Sequence, residues 1–421
     1  MFKKTIIKNG LRIITVPIKN IQSATVLVLV GTGSKYEEKE TNGISHFLEH
    51  MFFKGTKKRP STQKIAETLD RVGGSYNAFT SKEITGYWAK VDSKHLDLAL
   101  DWVSDILLNS KFEAKEMERE RKVIIEEINM YLDTPMSYVH DLWEKLLYGD
   151  QPAGWMITGE KEIIANLKRE KLLNYFKNHY LAKNTIVCVA GNINPVATGK
   201  KIKKYFKSIK TGSPKIKIKV TEKQNRPQGL IYYKKTDQTH FSLGVRGYDL
   251  FHPLRYAQLI LATILGGGMS SRLFISVREK SGLCYYIGTS SENTTDTGYL
   301  VTQSGVDNQN VEKAINLILK EYKSLKSRKV DKDELQKAKD YLKGGLILSW
   351  ESSDVQASFY VSQELLEGEI LTLKEKLKKI DEVTASDIQK VARDIFQAKK
   401  LNLALIGPFK DKSKFKRLLK I

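Results

Sequence analysis

Residues 168–193 have the sequence KREKLLNYFKNHYLAKNTIVCVAGNI, and residues 384–409 have the sequence TASDIQKVARDIFQAKKLNLALIGPF. When aligned, both show a helical pattern, a short turn, a strand pattern and then a glycine, Gly191 or Gly407. A strand followed by a helix recurs more loosely upstream of each segment. A duplication of about 200 residues is too long for a solenoid repeat. The sequence therefore predicts an α+β fold with two duplicated domains, each a mixed β-sheet with helices packed on it.

A basic tract in the middle of the chain separates the two halves. Residues 211–228 combine a glycine, a serine and two prolines with several lysines, a composition typical of a linker. We therefore expect an N-terminal domain at residues 1–210 and a homologous C-terminal domain at residues 229–421.

The composition is that of a globular chain: 421 residues are 41 % hydrophobic and 28 % charged, which excludes a disordered or fibrous protein. No apolar run reaches the ~18–20 residues that a membrane span needs. Two cysteines, Cys188 and Cys284, do not indicate a disulfide framework. The N-terminal residues predict a hairpin around Asn9–Gly10 rather than a targeting segment, so a cytoplasmic location is expected.

The positive charge is concentrated in two tracts. Residues 201–228 carry ten Lys or Arg and one Glu, and residues 409–421 carry six and one Asp; these tracts hold +9 and +5 of the net +22. In residues 215–220 the lysines alternate with apolar residues, as in a solvated edge strand, and not with aromatic ones. This pattern argues against a nucleic-acid partner.

Residues 42–55, NGISHFLEHMFFKG, carry the strongest chemical signal in the chain. Asn42 is expected to cap a helix here, and His46 and His50 then lie one turn apart on the same side. Two such imidazoles can hold one zinc ion, and Glu49 between them can accept a proton from the attacking water. This is the inverted zinc-protease motif, His-x-x-Glu-His. The alternative is a pair of histidines on an ordinary amphipathic helix.

A catalytic zinc needs a third protein ligand. The helix predicted over residues 116–132 offers Glu120, Glu126 and Glu127. Helical phase places Glu126 on the polar face and Glu127 on the apolar face, where an unpaired carboxylate is costly and a metal would compensate its charge. Glu120 lies two turns earlier on that face and is either a supporting carboxylate or an ordinary first-turn glutamate.

The turn at Gly73–Gly74 precedes a segment, Ser75–Phe79, that is expected to be an exposed edge strand. Such an edge can accept an extended peptide as an added strand.

Several stretches together resemble the pitrilysin/insulinase family of zinc peptidases. They are HFLEH at 46–50, GSYNAFTSKE at 74–83, ERKVIIEE at 120–127, GGGMSSRLF at 266–274 and REKSGLCY at 278–285. The resemblance spans essentially the whole chain and is strongest to the short, two-domain members, such as bacterial peptidases of this length and the catalytic subunit of mitochondrial processing peptidase.

The resemblance implies a role for each matching residue. It implies one Zn²⁺ per chain at His46, His50 and Glu127, with the expected 76 residues between the last two. It further implies Glu49 as general base, Glu120 as supporting carboxylate, Asn77 and Ala78 in the substrate-binding strand, and an arginine–tyrosine pair, Arg278 and Tyr285, that serves the reaction. Without the family, Arg278 and Tyr285 are equally well explained as surface and core residues.

The leading hypothesis is therefore a zinc metalloendopeptidase that binds peptides or unfolded segments as an added strand in a closed chamber. By resemblance, two chains form that chamber, as a homodimer or as a heterodimer with a related subunit. The alternative is a non-catalytic structural or partner subunit of the same fold; the intact set of ligands weighs against it. In the second half, the corresponding helix at Leu254–Leu265 carries no ligand, so only the first half is expected to hold zinc.

Overall fold

A computed structural model describes residues 2–411 and 413–421. The strands are β1 (Lys3–Ile6), β2 (Arg12–Pro17), β3 (Ser23–Val30), β4 (Ser75–Thr80), β5 (Thr85–Asp92), β6 (Thr185–Gly191), β7 (Gln228–Tyr233), β8 (Gln238–Arg246), β9 (Cys284–Asn293), β10 (Gly298–Asp307) and β11 (Leu401–Gly407).

The helices are α1 (Ile44–Met51), α2 (Thr62–Asp70), α3 (Leu96–Asn109), α4 (Ala114–Asp133), α5 (Pro135–Tyr148), α6 (Lys161–Asn166), α7 (Arg169–His179), α8 (Pro195–Tyr205), α9 (Arg255–Gly266), α10 (Val311–Ser327), α11 (Lys332–Ser349), α12 (Ser353–Leu366), α13 (Leu373–Asp381), α14 (Ala385–Ile395) and α15 (Ser413–Lys416). A π-helical turn, Phe274–Glu279, lies between α9 and β9. No described helix is long and apolar enough to cross a bilayer.

The first compact unit comprises Met1–Asn129, Trp155–Ile218 and Leu348–Ile370. Its sheet has the order β1-β2-β6-β3-β5-β4; β2 and β6 run parallel and the other neighbours antiparallel. The predicted hairpin is confirmed, since β1 pairs with β2 across a turn in which Gly10 has φ +90°. Strand β4 lies at the edge of the sheet, as Gly73–Gly74 and the following residues predict.

The second compact unit comprises Met130–Gly154, Lys219–Ile347 and Leu371–Ile421. Its sheet has the order β7-β11-β8-β10-β9, with β7 and β11 parallel and the other neighbours antiparallel. The order and the strand directions repeat those of β2-β6-β3-β5-β4. The predicted α+β fold with two mixed sheets is therefore confirmed.

The sequence repeat coincides with the boundaries of the elements. Alignment of Lys168 with Thr384 is a shift of 216 positions (384 − 168), and the same shift carries α7 onto α14 and β6 onto β11 residue for residue. Helical periodicity and the closing glycine thus located both segments correctly.

One helix of each unit comes from the other half of the chain. Strand β6 is buried along its whole length, so both faces of its sheet need an apolar cover. Helix α12 supplies one cover in the first unit through Ala357, Tyr360 and Val361. In the second unit, α5 packs Val139 and Trp143 on its sheet.

The compact units therefore differ from the continuous halves 1–210 and 229–421. Hydrophobic periodicity identifies a helix but does not say which sheet the helix covers. A single boundary in the chain therefore leaves α5 and α12 in the half opposite to the sheet on which each packs. The division at residues 211–228 as a domain boundary stays a prediction; most of that tract has no regular secondary structure.

Candidate metal centre

Helix α1 presents the histidine motif on a well-packed support. Ile44, Phe47, Leu48 and Met51 are at most 1 % exposed, and they fix the helix by burying its apolar side. The expectation that Asn42 caps the helix is wrong. The N-cap is Gly43, with φ +92°, and a Cβ atom there would lie 2.6 Å from the carbonyl oxygen of Thr158.

The start of α1 is capped instead by a buried carboxylate, Glu37. One oxygen accepts from the backbone N–H of Gly43 at 2.7 Å and from the Asn42 side chain at 2.9 Å, and the other accepts from the N–H of Ser45 at 2.9 Å. Burial raises the pKa of Glu37, although these hydrogen bonds oppose the rise. A negative charge at this end also complements the helix dipole. Nothing in the sequence around Glu37 indicated this role.

Three side chains from α1 and α4 converge on one point. The Nε2 atoms of His46 and His50 are 3.2 Å apart, and the carboxylate of Glu127 lies 3.6 Å from the first and 3.4 Å from the second. Tetrahedral ligands at about 2.0–2.2 Å from a zinc ion lie about 3.3–3.6 Å from one another. The donor set and its spacing therefore fit zinc, and among the residues that the structure describes it is the one such cluster of His, Cys, Asp and Glu.

Glu120 stands behind His50 and orients its ring. One oxygen of Glu120 lies 2.8 Å from Nδ1 of His50, and the other accepts from the ammonium group of Lys54 at 2.5 Å. In the neutral form that donates its Nδ1 proton to Glu120, which is the form that binds a metal, His50 presents the lone pair of Nε2 toward His46 and Glu127. The sequence indicated Glu120 but not Lys54, four residues after His50.

The charges of this cluster are strongly coupled. Burial, together with nearby His50, lowers the pKa of His46 to about 4. Burial also favours neutral His50, but hydrogen bonds to Glu120 and Glu127 outweigh it and raise the pKa of His50 to about 9. The hydrogen bond with His50 lowers the pKa of Glu127. Nδ1 of His46 is buried and has no hydrogen-bond partner among the described residues.

Glu49 lies beside the cluster and is held by the edge strand. The hydroxyl group of Thr80, the last residue of β4, donates to Oε2 of Glu49 at 2.5 Å. Burial raises the pKa of Glu49, and the hydrogen bond from Thr80 opposes the rise. A carboxylate whose pKa lies above its usual range is suited to exchange protons near neutral pH.

The predicted substrate-binding residues Asn77 and Ala78 lie on β4. This strand pairs only with β5 among the described strands, so its other edge has no strand partner. On this strand, the backbone N–H of Ala78 donates to the side-chain oxygen of the preceding residue, Asn77, at 2.9 Å.

Arg278 and Tyr285 belong to the second unit, where the structure brings them together. The guanidinium group of Arg278 lies 4.6 Å from the ring centre of Phe274 and 5.3 Å from that of Tyr285. Tyr285 itself is 79 % exposed. Stacking on two rings limits the directions in which the arginine can point.

Comparison with known protein families matches both parts of the chain. Residues 12–160 match the family model described as insulinase (peptidase family M16), and residues 166–342 match the model described as the peptidase M16 inactive domain.

Individual relatives agree with this match. The chain is 38 % identical to an uncharacterized zinc protease, YmxG, of Bacillus subtilis, over 97 % of this chain and 98 % of that protein. It is 33 % identical to an uncharacterized zinc protease of Streptomyces coelicolor, over 97 % and 90 % of the two chains. The crystal structure of a protease from Helicobacter pylori, 25 % identical, superimposes with a TM-score of 0.91 over 97 % of this chain and 99 % of that one.

The matches and the donor cluster support a metallopeptidase. The chain belongs to the insulinase family, peptidase family M16, and has the short two-domain form.

Proposed function

We propose that this protein is a zinc-dependent metalloendopeptidase with His46, His50 and Glu127 as zinc ligands. The observation that carries the proposal is the convergence of three side chains next to the buried carboxylate of Glu49: the two Nε2 atoms are 3.2 Å apart, and the two oxygens of Glu127 lie 3.6 Å from His46 and 3.4 Å from His50. Zinc bound there would polarise the scissile carbonyl group and lower the pKa of the attacking water.

The chain's own residues handle the proton and hold the ligands. Glu49 takes the proton of the attacking water and delivers it to the leaving amine, while the hydroxyl of Thr80 keeps its carboxylate in place. Glu120, paired with Lys54, holds His50 in the tautomer and orientation that leave Nε2 free as a ligand.

The substrate would bind in extended form along β4. The unpaired edge of this strand offers backbone hydrogen bonds to a peptide backbone, and these are independent of the peptide's sequence. Asn77 and Ala78 lie on this edge, and Thr80 links its end to Glu49. Such an arrangement favours peptides or unfolded segments over folded substrates.

Arg278 and Tyr285 are proposed to stabilise the developing oxyanion through hydrogen bonds. In the two-chain arrangement that the family resemblance implies, they would act on the zinc site of a partner subunit, either a second copy or a related chain, inside a closed chamber. The cytoplasmic location stays an expectation from the sequence.

The test is hydrolysis of a mixed peptide pool by the purified, zinc-loaded chain beside its Glu49→Gln variant. We expect the variant to keep its zinc and to lose at least about 100-fold in rate, since general-base catalysis contributes about 10²–10⁴-fold. A Glu126→Gln variant is the matched control, because Glu126 is one residue from a ligand but lies on the exposed face of α4.

Each outcome of this test is informative. Hydrolysis by Glu49→Gln at the wild-type rate would refute the mechanism. Zinc-loaded wild-type chain without activity, alone or mixed with related subunits, would favour the alternative of a non-catalytic structural subunit.

A further inference from the structure

A cavity of about 70 Å³, partly open to solvent, lies inside the first unit, and none of its lining residues is assigned to zinc. Its walls come from β3, the end of α3, α7 and the segment after α8. They include Val28, Val30, Leu107, Phe206 and Ile209, each at most 8 % exposed. One water molecule needs roughly 10–15 Å³ of such space, so the cavity can hold several groups of the size of water or a methylene.

The polar groups in these walls are already satisfied by the protein. The hydroxyl of Tyr180 is bonded to that of Tyr87 at 2.8 Å, and the hydroxyl of Thr185 donates to the carbonyl of Leu181 at 2.9 Å. A wall without free polar groups holds water poorly. An apolar occupant would therefore gain free energy in proportion to the apolar surface that it removes from water.

The mouth of the cavity is positively charged. Lys177 and Lys210 line it together with Ser208, and all three are exposed. The lining contains no carboxylate, and neither lysine forms an ion pair with another residue in the described parts of the chain. Apolar walls behind two uncompensated ammonium groups match a molecule with an apolar tail and an anionic head.

We propose that this cavity is a binding site for a medium-chain carboxylate, with the alkyl chain inside and the carboxylate between Lys177 and Lys210. The site is independent of the proposed peptidase activity. Two of its lining rings, Phe176 and Tyr180, also pack on Phe52, at 5.8 and 5.3 Å between ring centres, so the cavity borders the aromatic core of the first unit.

Binding is expected to raise the thermal stability of the protein, because the ligand binds the folded state and not the unfolded chain.

The experiment is calorimetric titration of the full chain with octanoate below its micellar range, with acetate and octanol as probes of the head and the tail. We expect saturable 1:1 binding of octanoate with a rise in melting temperature, at least 10-fold weaker binding of octanol, and no binding of acetate at the same concentration. The double variant Lys177→Glu, Lys210→Glu should bind octanoate at least 10-fold more weakly. The charge-matched control is Lys203→Glu, Lys204→Glu on α8, outside the cavity lining.

Two further variants test the cavity itself. Leu108→Trp fills it from the α3 side, and Ser208→Trp blocks its mouth from an exposed position where folding is not at risk. Each is expected to abolish octanoate binding while circular dichroism stays that of the wild type. Unchanged binding in the folded Ser208→Trp variant, or no saturable binding of octanoate to the wild type, would overturn the proposal.

Discussion

Helices α1 and α9 hold the same place in the two units, yet only one of them carries chemistry. Each follows the strand that is third from the end of its sheet, β3 or β8. Helix α1 presents two imidazoles and Glu49. In α9 the buried polar residue is Gln258, which accepts from the N–H of Tyr248 at 2.9 Å and donates to the hydroxyl of Ser291 at 2.8 Å.

The difference shows that the fold does not need the ligand set. Helix α9 builds its part of the core with apolar residues such as Ile260 and Leu261, and its one buried amide is fully used. Helix α1 builds a similar core but places imidazoles and carboxylates close together, which costs free energy unless a partner compensates their charge. The ligand set of α1 therefore lowers the stability of the first unit, whereas α9 fills the same place in the second unit without such a cost.

The largest effect, on zinc binding and hydrolysis, is expected when the first unit loses the third donor of its cluster. Glu127→Gln removes the only anionic donor of the cluster, so zinc affinity should fall by more than the ~10–100-fold that loss of a supporting residue costs. Zinc content after dialysis and hydrolysis of the peptide pool measure the effect. Glu126→Gln should retain both, and equal loss in the two variants would contradict the assignment.

A second substitution places a residue of the second unit in the first. His179 aligns with Ile395 in the repeat, and both are at most 2 % exposed. Burial, with a contribution from Lys215, lowers the pKa of His179 to about 4.

Because this pKa lies below the unfolded value of about 6.5, the unfolded state takes up the proton first and stability is lost as the pH falls from about 6.5 to 4, by about 3 kcal/mol in total. The variant His179→Ile lacks this loss. Denaturant unfolding at pH 7 and pH 4.5 should show a smaller decrease for the variant than for the wild type; the same decrease in both would refute the assignment.

A third change tests the support behind the ligands. Glu120→Gln keeps the shape of the side chain but removes its charge from His50 and Lys54, and we expect zinc affinity to fall about 10–100-fold. Competition with a chromogenic chelator measures this loss. Lys54→Met should also lower zinc affinity, but by less than Glu120→Gln. A larger loss in Lys54→Met would contradict the assignment of Glu120 as the residue that orients His50.

The smallest effect is expected at the start of α1. In Glu37→Gln one acceptor oxygen is replaced by an amide group, so one backbone N–H of the helix start loses its partner, at a cost of about 1 kcal/mol in the free energy of unfolding. The control is Glu38→Gln, an exposed neighbour whose removal should change stability by less than about 0.5 kcal/mol. Equal stability of Glu37→Gln and the wild type would show that water replaces the cap.

Periodic patterns made most of the fold predictable. The 216-residue repeat gave α7 with β6 and α14 with β11, and the phase of α4 selected Glu127 rather than Glu126 as the carboxylate that faces the histidines. Both predictions depend on local regularities, in which each residue's environment follows from its neighbours in the helix or strand.

The interactions that escaped prediction are made by residues far apart or without a pattern. Glu37 caps α1 across a turn, and Asn42, the expected cap, donates to Glu37 instead. Lys54 follows the metal motif but finds its partner, Glu120, only in the folded chain. The packing of α12 on the first sheet depends on which apolar face remains uncovered, and a sequence pattern does not encode that.

The packing of α12 on the first sheet also has a consequence for how the protein is made. Strand β6 is synthesised 175 positions (366 − 191) before the last residue of α12. At about 5–20 residues per second, the ribosome needs roughly 10–35 s to add that length. Throughout that interval one apolar face of the nascent first sheet is uncovered. Such a surface is prone to aggregate and is the kind that chaperones bind. We expect a chain that stops near residue 210 to be insoluble, because the first unit completes its core only after α12 has been synthesised.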